Sequence, residues 1–112
     1  MSATKVPFVT SLRARPGVIT VGNASAHDLL HLRVELPEVW DTVRIDIPAS
    51  EPVLALKVHA LQALAPAADR HDDYVVKLRG VEVTDETASL REAGTQNGSI
   101  FIVTRRYRRA IR

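Results

Sequence analysis

Hydrophobic and polar positions alternate strictly from Leu30 onward. In LHLRVEL, Leu30, Leu32, Val34 and Leu36 fall on one face, and His31, Arg33 and Glu35 on the other, the period of a half-buried strand. After PEVWD the alternation resumes in TVRIDI, with Val43, Ile45 and Ile47 inward and Arg44 and Asp46 outward. Two such runs around a short loop predict a β-hairpin. The period then changes. In PASEPVLALKVHALQALAP, Val53, Leu56, Ala60 and Leu64 recur at helical spacing, widened by Leu61. This predicts an amphipathic helix of about four turns. Ser50 is the expected N-cap, Glu51 and Pro52 suit a first turn, and Pro66 stops the helix.

The second half continues in short pieces. PAADRHDD is a polar connection, and YVVKLRG is a strand ending in Gly80. VEVTDETASL supplies a short strand, a turn and an apolar point at Leu90. REAGTQNG is a turn-rich bend, and SIFIVT is a last strand with Phe101 and Val103 on one face. The order is therefore strand, strand, helix, strand, short strand, strand. A single helix and a single mixed sheet each have one apolar face, so the helix must cover the sheet. With a strand pair on each side of the helix, the first and last strands can lie side by side at the centre. This is an α+β fold with β-grasp order.

The front of the chain is less regular. Between residues 1 and 28, VPFVTSL and GVITVG are short apolar runs separated by ARPG. They fit either a small hairpin or a disordered arm with sticky points. The expected organisation is an N-terminal arm over residues 1–28, a domain over 29–104 and a tail over 105–112.

From about His31 to the C-terminus the sequence resembles ubiquitin-like proteins. TVRIDIPASEPVLALKVHAL is similar to the family's second strand and helix entry, and YVVKLRGVEVTDETASLREAGTQNGSIFIV to its second half. Leu78-Arg79-Gly80 occupies the strand-to-turn position, and S-L-x-x-x-G-x-x-N-G-S leads into the last strand. The resemblance implies a ubiquitin-like β-grasp that acts by being bound. Two branches of the family compete. One is the conjugated modifiers, including those of bacterial ubiquitination-like pathways, which need an E1-like adenylating enzyme and in some cases a processing protease. The other is the non-covalent adaptors or subunits, such as the accessory protein of type VII secretion, which lacks a terminal diglycine. The family's apolar recognition patch falls here on Lys77, Ile102 and Thr104, so half of it is polar; Trp40, in the hairpin loop, is an alternative anchor.

The tail departs from the diglycine pattern. Arg109 and Ala110 stand where the two glycines would be, and Ile111 and Arg112 overhang. Glycine suits that chemistry because the backbone must thread narrow sites without a Cβ. The segment Tyr107, Arg108, Arg109, Ala110, Ile111 and Arg112 is the candidate conjugation or processing tail, and conjugation through Ala110 would require loss of Ile111 and Arg112.

Charge sharpens this reading. The 112-residue chain carries net +2, but Arg105 to Arg112 holds five arginines and no acid, so the remainder is net −3. RRYRR could grip nucleic acid through phosphates and a stacking tyrosine, in a salt-sensitive and nonspecific way. The body offers no second basic patch in its sequence, which ranks nucleic acid third. Arginine and alanine richness suggests a GC-rich bacterial source.

Other chemistry is sparse. There is no cysteine, which excludes disulfides and thiolate ligands or nucleophiles and is compatible with a cytoplasmic location. The N-terminal MSATKVPFVTSLRARPG carries no signal-like apolar run, and no stretch approaches the roughly 20 apolar residues of a membrane span. His27, His31, His59 and His71 show no metal-ligand spacing, and His71-Asp72-Asp73 is a solvated polar cluster. Ser89 and Ser99 sit at turn positions without a nearby base, and GVITVG lacks the Lys-Ser/Thr of a phosphate loop. No cofactor, metal or catalytic activity is expected. The apolar runs ahead of the domain could add a strand to a neighbouring copy and make a homo-oligomer.

Overall fold

The computed structural model describes residues 18–23, 25–68 and 70–106. VPFVTSL and the segment 107–112 lie outside them.

The strict alternation produces the predicted hairpin. Strands β2 (Leu29–Leu36) and β3 (Asp41–Pro48) pair antiparallel from Leu36↔Asp41 to Leu29↔Pro48. One 3-10 turn, Pro37–Val39, joins them, with Trp40 in left-handed backbone (φ 54°) donating its N–H to the Pro37 carbonyl at 3.0 Å. The hairpin faces helix α1 (Val53–Leu64). Beyond it come β4 (Tyr74–Leu78), β5 (Val81–Glu82) and β6 (Ile100–Arg105). Strand β6 enters the middle of the sheet, parallel to β2 and antiparallel to β4. First and last strands of the predicted unit are thus central neighbours, as β-grasp order requires.

The core is the interleaving of these alternations. Val34, Ile45, Ile47, Val76, Phe101 and Val103 are completely buried from the sheet side, and Val53 and Leu56 from the helix. Leu90, the apolar point in the bend, is also fully buried. Ser89 and Glu92 hold that bend by a reciprocal pair of bonds: the Ser89 N–H donates to Glu92 Oε1 at 2.9 Å, and the Glu92 N–H to Ser89 Oγ at 3.0 Å. Asn97 then bonds the bend to the sheet, its Oδ1 accepting the His31 N–H at 2.7 Å.

Three features differ from the sequence expectation. Among the described residues, the apolar run GVITVG is paired with β3 and not with a neighbouring stretch. Val18–Thr20 forms a sixth strand, β1, parallel to β3 in the register Val18↔Arg44 to Thr20↔Asp46. The sheet order is β1-β3-β2-β6-β4-β5. Ile19 and Val21 pack into the core, which is why the run is apolar.

The helix is also shorter at its start. Its N-cap position is Pro52, and Ser50 makes no cap. The free N–H groups of the first turn are taken instead by carbonyls of the loop after β5, Val53 by Ala88 at 2.9 Å and Leu54 by Glu86 at 2.8 Å. A non-local cap of this kind leaves no signature beside the helix.

Lys57 is the third. It lies on the helix's inner face, 1% exposed, with Nζ on both Glu86 oxygens at 2.9 and 3.0 Å. One loop therefore both caps the helix and neutralises its buried cation.

Candidate functional site

The sheet's outer face is built by the residues that alternate with the core. Val76 and Leu78 point inward on β4, and Phe101 and Val103 on β6, so Lys77, Ile102 and Thr104 point outward. Lys77 lies directly across from Ile102, and Thr104 across from Val75. The pairings extend the Lys77 row to Thr42–Glu35–Ile102–Lys77–Glu82, so an acid flanks the Ile102–Lys77 pair on either side. Ile102 is a half-buried apolar island in a charged row.

The neighbouring row was not singled out in the sequence. It runs Val18–Arg44–Arg33–Ile100, with two arginines directly opposite each other. Like charges at such positions cost stability. The signal was available, because a loop that pairs Leu36 with Asp41 also fixes Arg33 against Arg44. Beside them His31 Nδ1 lies 2.7 Å from Asp46 Oδ1.

Trp40 lies in the loop between β2 and β3. Strand β2 ends at Leu36, but β6 continues to Arg105, which leaves one edge of β6 without a strand partner there. The Glu38 carboxylate fills that place. Its Oε2 accepts the Thr104 hydroxyl at 2.7 Å and the Arg105 N–H at 3.0 Å. This contact, 66 residues apart in sequence, brings the Trp40 loop against the end of β6. Trp40 itself is 91% exposed and Val39 41%, so the loop presents a large apolar surface to solvent.

The root of the tail is held at the same corner. The Arg105 guanidinium lies 5.5 Å over the Tyr74 ring. The Arg106 N–H donates to the Asp73 carbonyl at 2.7 Å, and its guanidinium is 3.9 Å from Glu82. The bond to the Tyr74 hydroxyl raises the Arg105 pKa, with smaller support from Asp73 and Glu38. Two of the five tail arginines are thus engaged by the body. Tyr107, Arg108, Arg109, Ala110, Ile111 and Arg112, the candidate tail itself, lie outside the described residues.

Partial desolvation pushes the Glu38 pKa up, but the Arg105 amide and Thr104 hydroxyl outweigh it and hold the carboxyl below its ordinary value of 4.5. A carboxylate depressed in the folded state contributes stability above its unfolded pKa and loses it as pH falls through the folded value. The Arg105 amide resonance will therefore titrate with a midpoint below 4.5. In Glu38→Gln that transition will vanish from the NMR titration, and a midpoint at or above the ordinary value would contradict the bonding described.

Among the described residues no group of three or more His, Asp or Glu is placed to hold a metal ion. No helix there is long and apolar enough to cross a membrane.

No protein-family model and no curated protein sequence matches this chain. Solved structures do. The C-terminal ubiquitin-like domain of mouse tubulin-specific chaperone e superposes with TM-score 0.64 at 16% identity, over 80% of this chain and all of that one. A ubiquitin-like domain from Arabidopsis thaliana gives 0.60 at 19%, over 82% and 96%. Caldiarchaeum subterraneum ubiquitin gives 0.60 at 14%, over 71% and 96%. At these identities the likeness is one of fold, and the fold is a ubiquitin-like β-grasp.

Proposed function

We propose that this protein is a non-catalytic ubiquitin-like modifier that is joined to targets through the tail Tyr107–Arg112. The observation that supports this most is the tail root. A modifier must offer its end at a fixed point of a stable body, and Glu38, Tyr74, Asp73 and Glu82 hold Arg105 and Arg106 at the end of the central strand. The chain beyond Arg106 leaves from that corner. Its partners in this reading are an E1-like adenylating enzyme of a bacterial, cytoplasmic pathway and, where Ala110 is the joined residue, a protease that removes Ile111 and Arg112.

Intact-mass analysis of the protein in its native host tests the reading. Adducts of higher mass are expected with the full chain and absent from a chain ending at Arg106. One unmodified species under all conditions would overturn it.

A second reading is a non-covalent adaptor or subunit, of which the type VII secretion accessory protein is an example. The exposure of Trp40, on the loop that Glu38 bonds to Thr104, favours it, because an exposed aromatic suits a docking anchor. A nucleic-acid role ranks below both. Arg105 and Arg106 are already paired within the body, which leaves three tail arginines for phosphates.

A further inference from the structure

We propose that the row Val18–Arg44–Arg33–Ile100 is a docking groove for an extended segment of a partner protein with the pattern apolar-x-acid-x-apolar, the acid being Asp or Glu. The row holds none of the residues at the tail root, so binding there stands apart from conjugation.

The arginine pair makes the first argument. Arg33 and Arg44 are directly opposite each other on β2 and β3, and both are exposed. A like-charge pair in that position destabilises the sheet. Among the described residues neither guanidinium has an ion-pair partner. Asp46, the next outward residue on β3, lies against His31 Nδ1 instead. Two guanidinium forks side by side can both donate to one carboxylate, which offsets their mutual repulsion.

Shape makes the second. Val18, His31, Arg33, Arg44, Asp46 and Ile100 line a groove of about 340 Å³ on the outer face of the sheet. Val18 and Ile100 end the row, 37% and 46% exposed. The groove is therefore basic in the middle and apolar at both ends.

Spacing sets the pattern. The row crosses four strands, and three strand spacings come to about 14 Å, which puts the midpoint between the arginines about 7 Å from either end. In an extended segment the first, third and fifth side chains share a face, about 6–7 Å apart, and together span about 13 Å. An apolar residue over Val18 then sets the third side chain between Arg44 and Arg33, and the fifth over Ile100. Asp46 and Glu35 stand one outward position along their strands, on opposite sides of the row. An acid displaced along the strands meets repulsion from one or the other. The apolar ends and the flanking acids favour a single carboxylate over a phosphate chain.

A short peptide with Val-Thr-Glu-Thr-Val at its centre, titrated into the full chain and followed by NMR, tests the proposal. The Val18, Arg33, Arg44 and Ile100 amides are expected to shift together. Replacing the Glu by Gln, or moving it to give Val-Glu-Thr-Thr-Val, should weaken binding about fivefold or more, and so should Arg33→Ala or Arg44→Ala in the protein. Both variants relieve the like-charge pair, so they should unfold in urea no earlier than the parent. No shift at millimolar peptide, equal affinity for the Gln or displaced peptide, or unchanged binding by both variants overturns the proposal. Shifts of the same amides by oligouridylate and not by the peptide overturn it in favour of phosphate recognition. A dimer on size exclusion whose dissociation on dilution moves these amides overturns it in favour of a second copy.

Discussion

Lys57→Ala will lower the unfolding free energy by about 3–5 kcal/mol, because it strands the Glu86 carboxylate against the helix. The ammonium is 1% exposed and held by both Glu86 oxygens. Glu86 is 18% exposed and can recover part of its hydration, which places the effect toward the lower end of that range. Glu86→Gln leaves the cation buried with a neutral acceptor and will also destabilise. The double variant Lys57→Met, Glu86→Leu should recover most of the loss, since a well-packed apolar pair of similar size often equals a buried ion pair. Urea unfolding of the four proteins measures these differences. If Lys57→Ala costs under about 1 kcal/mol, the pair does not hold the loop to the helix.

Trp40→Ala will leave stability nearly unchanged and weaken partner binding by about 30-fold or more, the effect of removing a central aromatic anchor. The side chain is 91% exposed, so folding gains little from burying it. Its left-handed backbone is no better suited to tryptophan than to alanine. An adenylating enzyme or adaptor partner identified in the native host supplies the measurement, by isothermal titration with both proteins. Equal affinity for parent and variant would remove Trp40 from the docking face. Loss of binding with a matching loss of stability would assign it to the fold.

Much of the fold was legible because it is local. The alternations around Leu32 and Ile45 gave two strands and their facing, and the helical spacing of Val53, Leu56, Ala60 and Leu64 gave the buried side of α1. The bend from Ser89 to Ser99 was readable from its turn residues, and Leu90 from its place among them. What was missed depends on partners far away in sequence. GVITVG gains its strand by lying parallel to β3, a pairing that no nearby residue announces. Ser50 looked like a cap, yet the caps come from Glu86 and Ala88. Lys57 breaks the apolar face of the helix, and the partner that explains it is 29 residues away. A lysine interrupting an otherwise apolar helix face was the available signal.

The candidate site was legible in part. Lys77, Ile102 and Thr104 come from the resemblance, as the positions of the family's patch, and the strand pairing sets them on the outer face of the sheet. The Glu38 bonds to Thr104 and Arg105 tie the loop that carries Trp40 to the end of β6. The opposed Arg33 and Arg44 could have been derived from the hairpin register. Glu38 could not, since filling the end of a strand edge requires knowing where the neighbouring strand stops.

The position of β6 has a mechanical consequence. The tail is the direct continuation of this strand, which is bonded on one side to β2 and on the other to β4. A processive unfoldase drawing in the tail would pull on the middle of the sheet before any edge. Its parallel pairing with β2 would be strained in shear, with several hydrogen bonds resisting together. Among the described residues, the first element met from the other end is β1, a three-residue edge strand paired with β3. Resistance to extraction should therefore depend on the end that is gripped, and be greater from the tail.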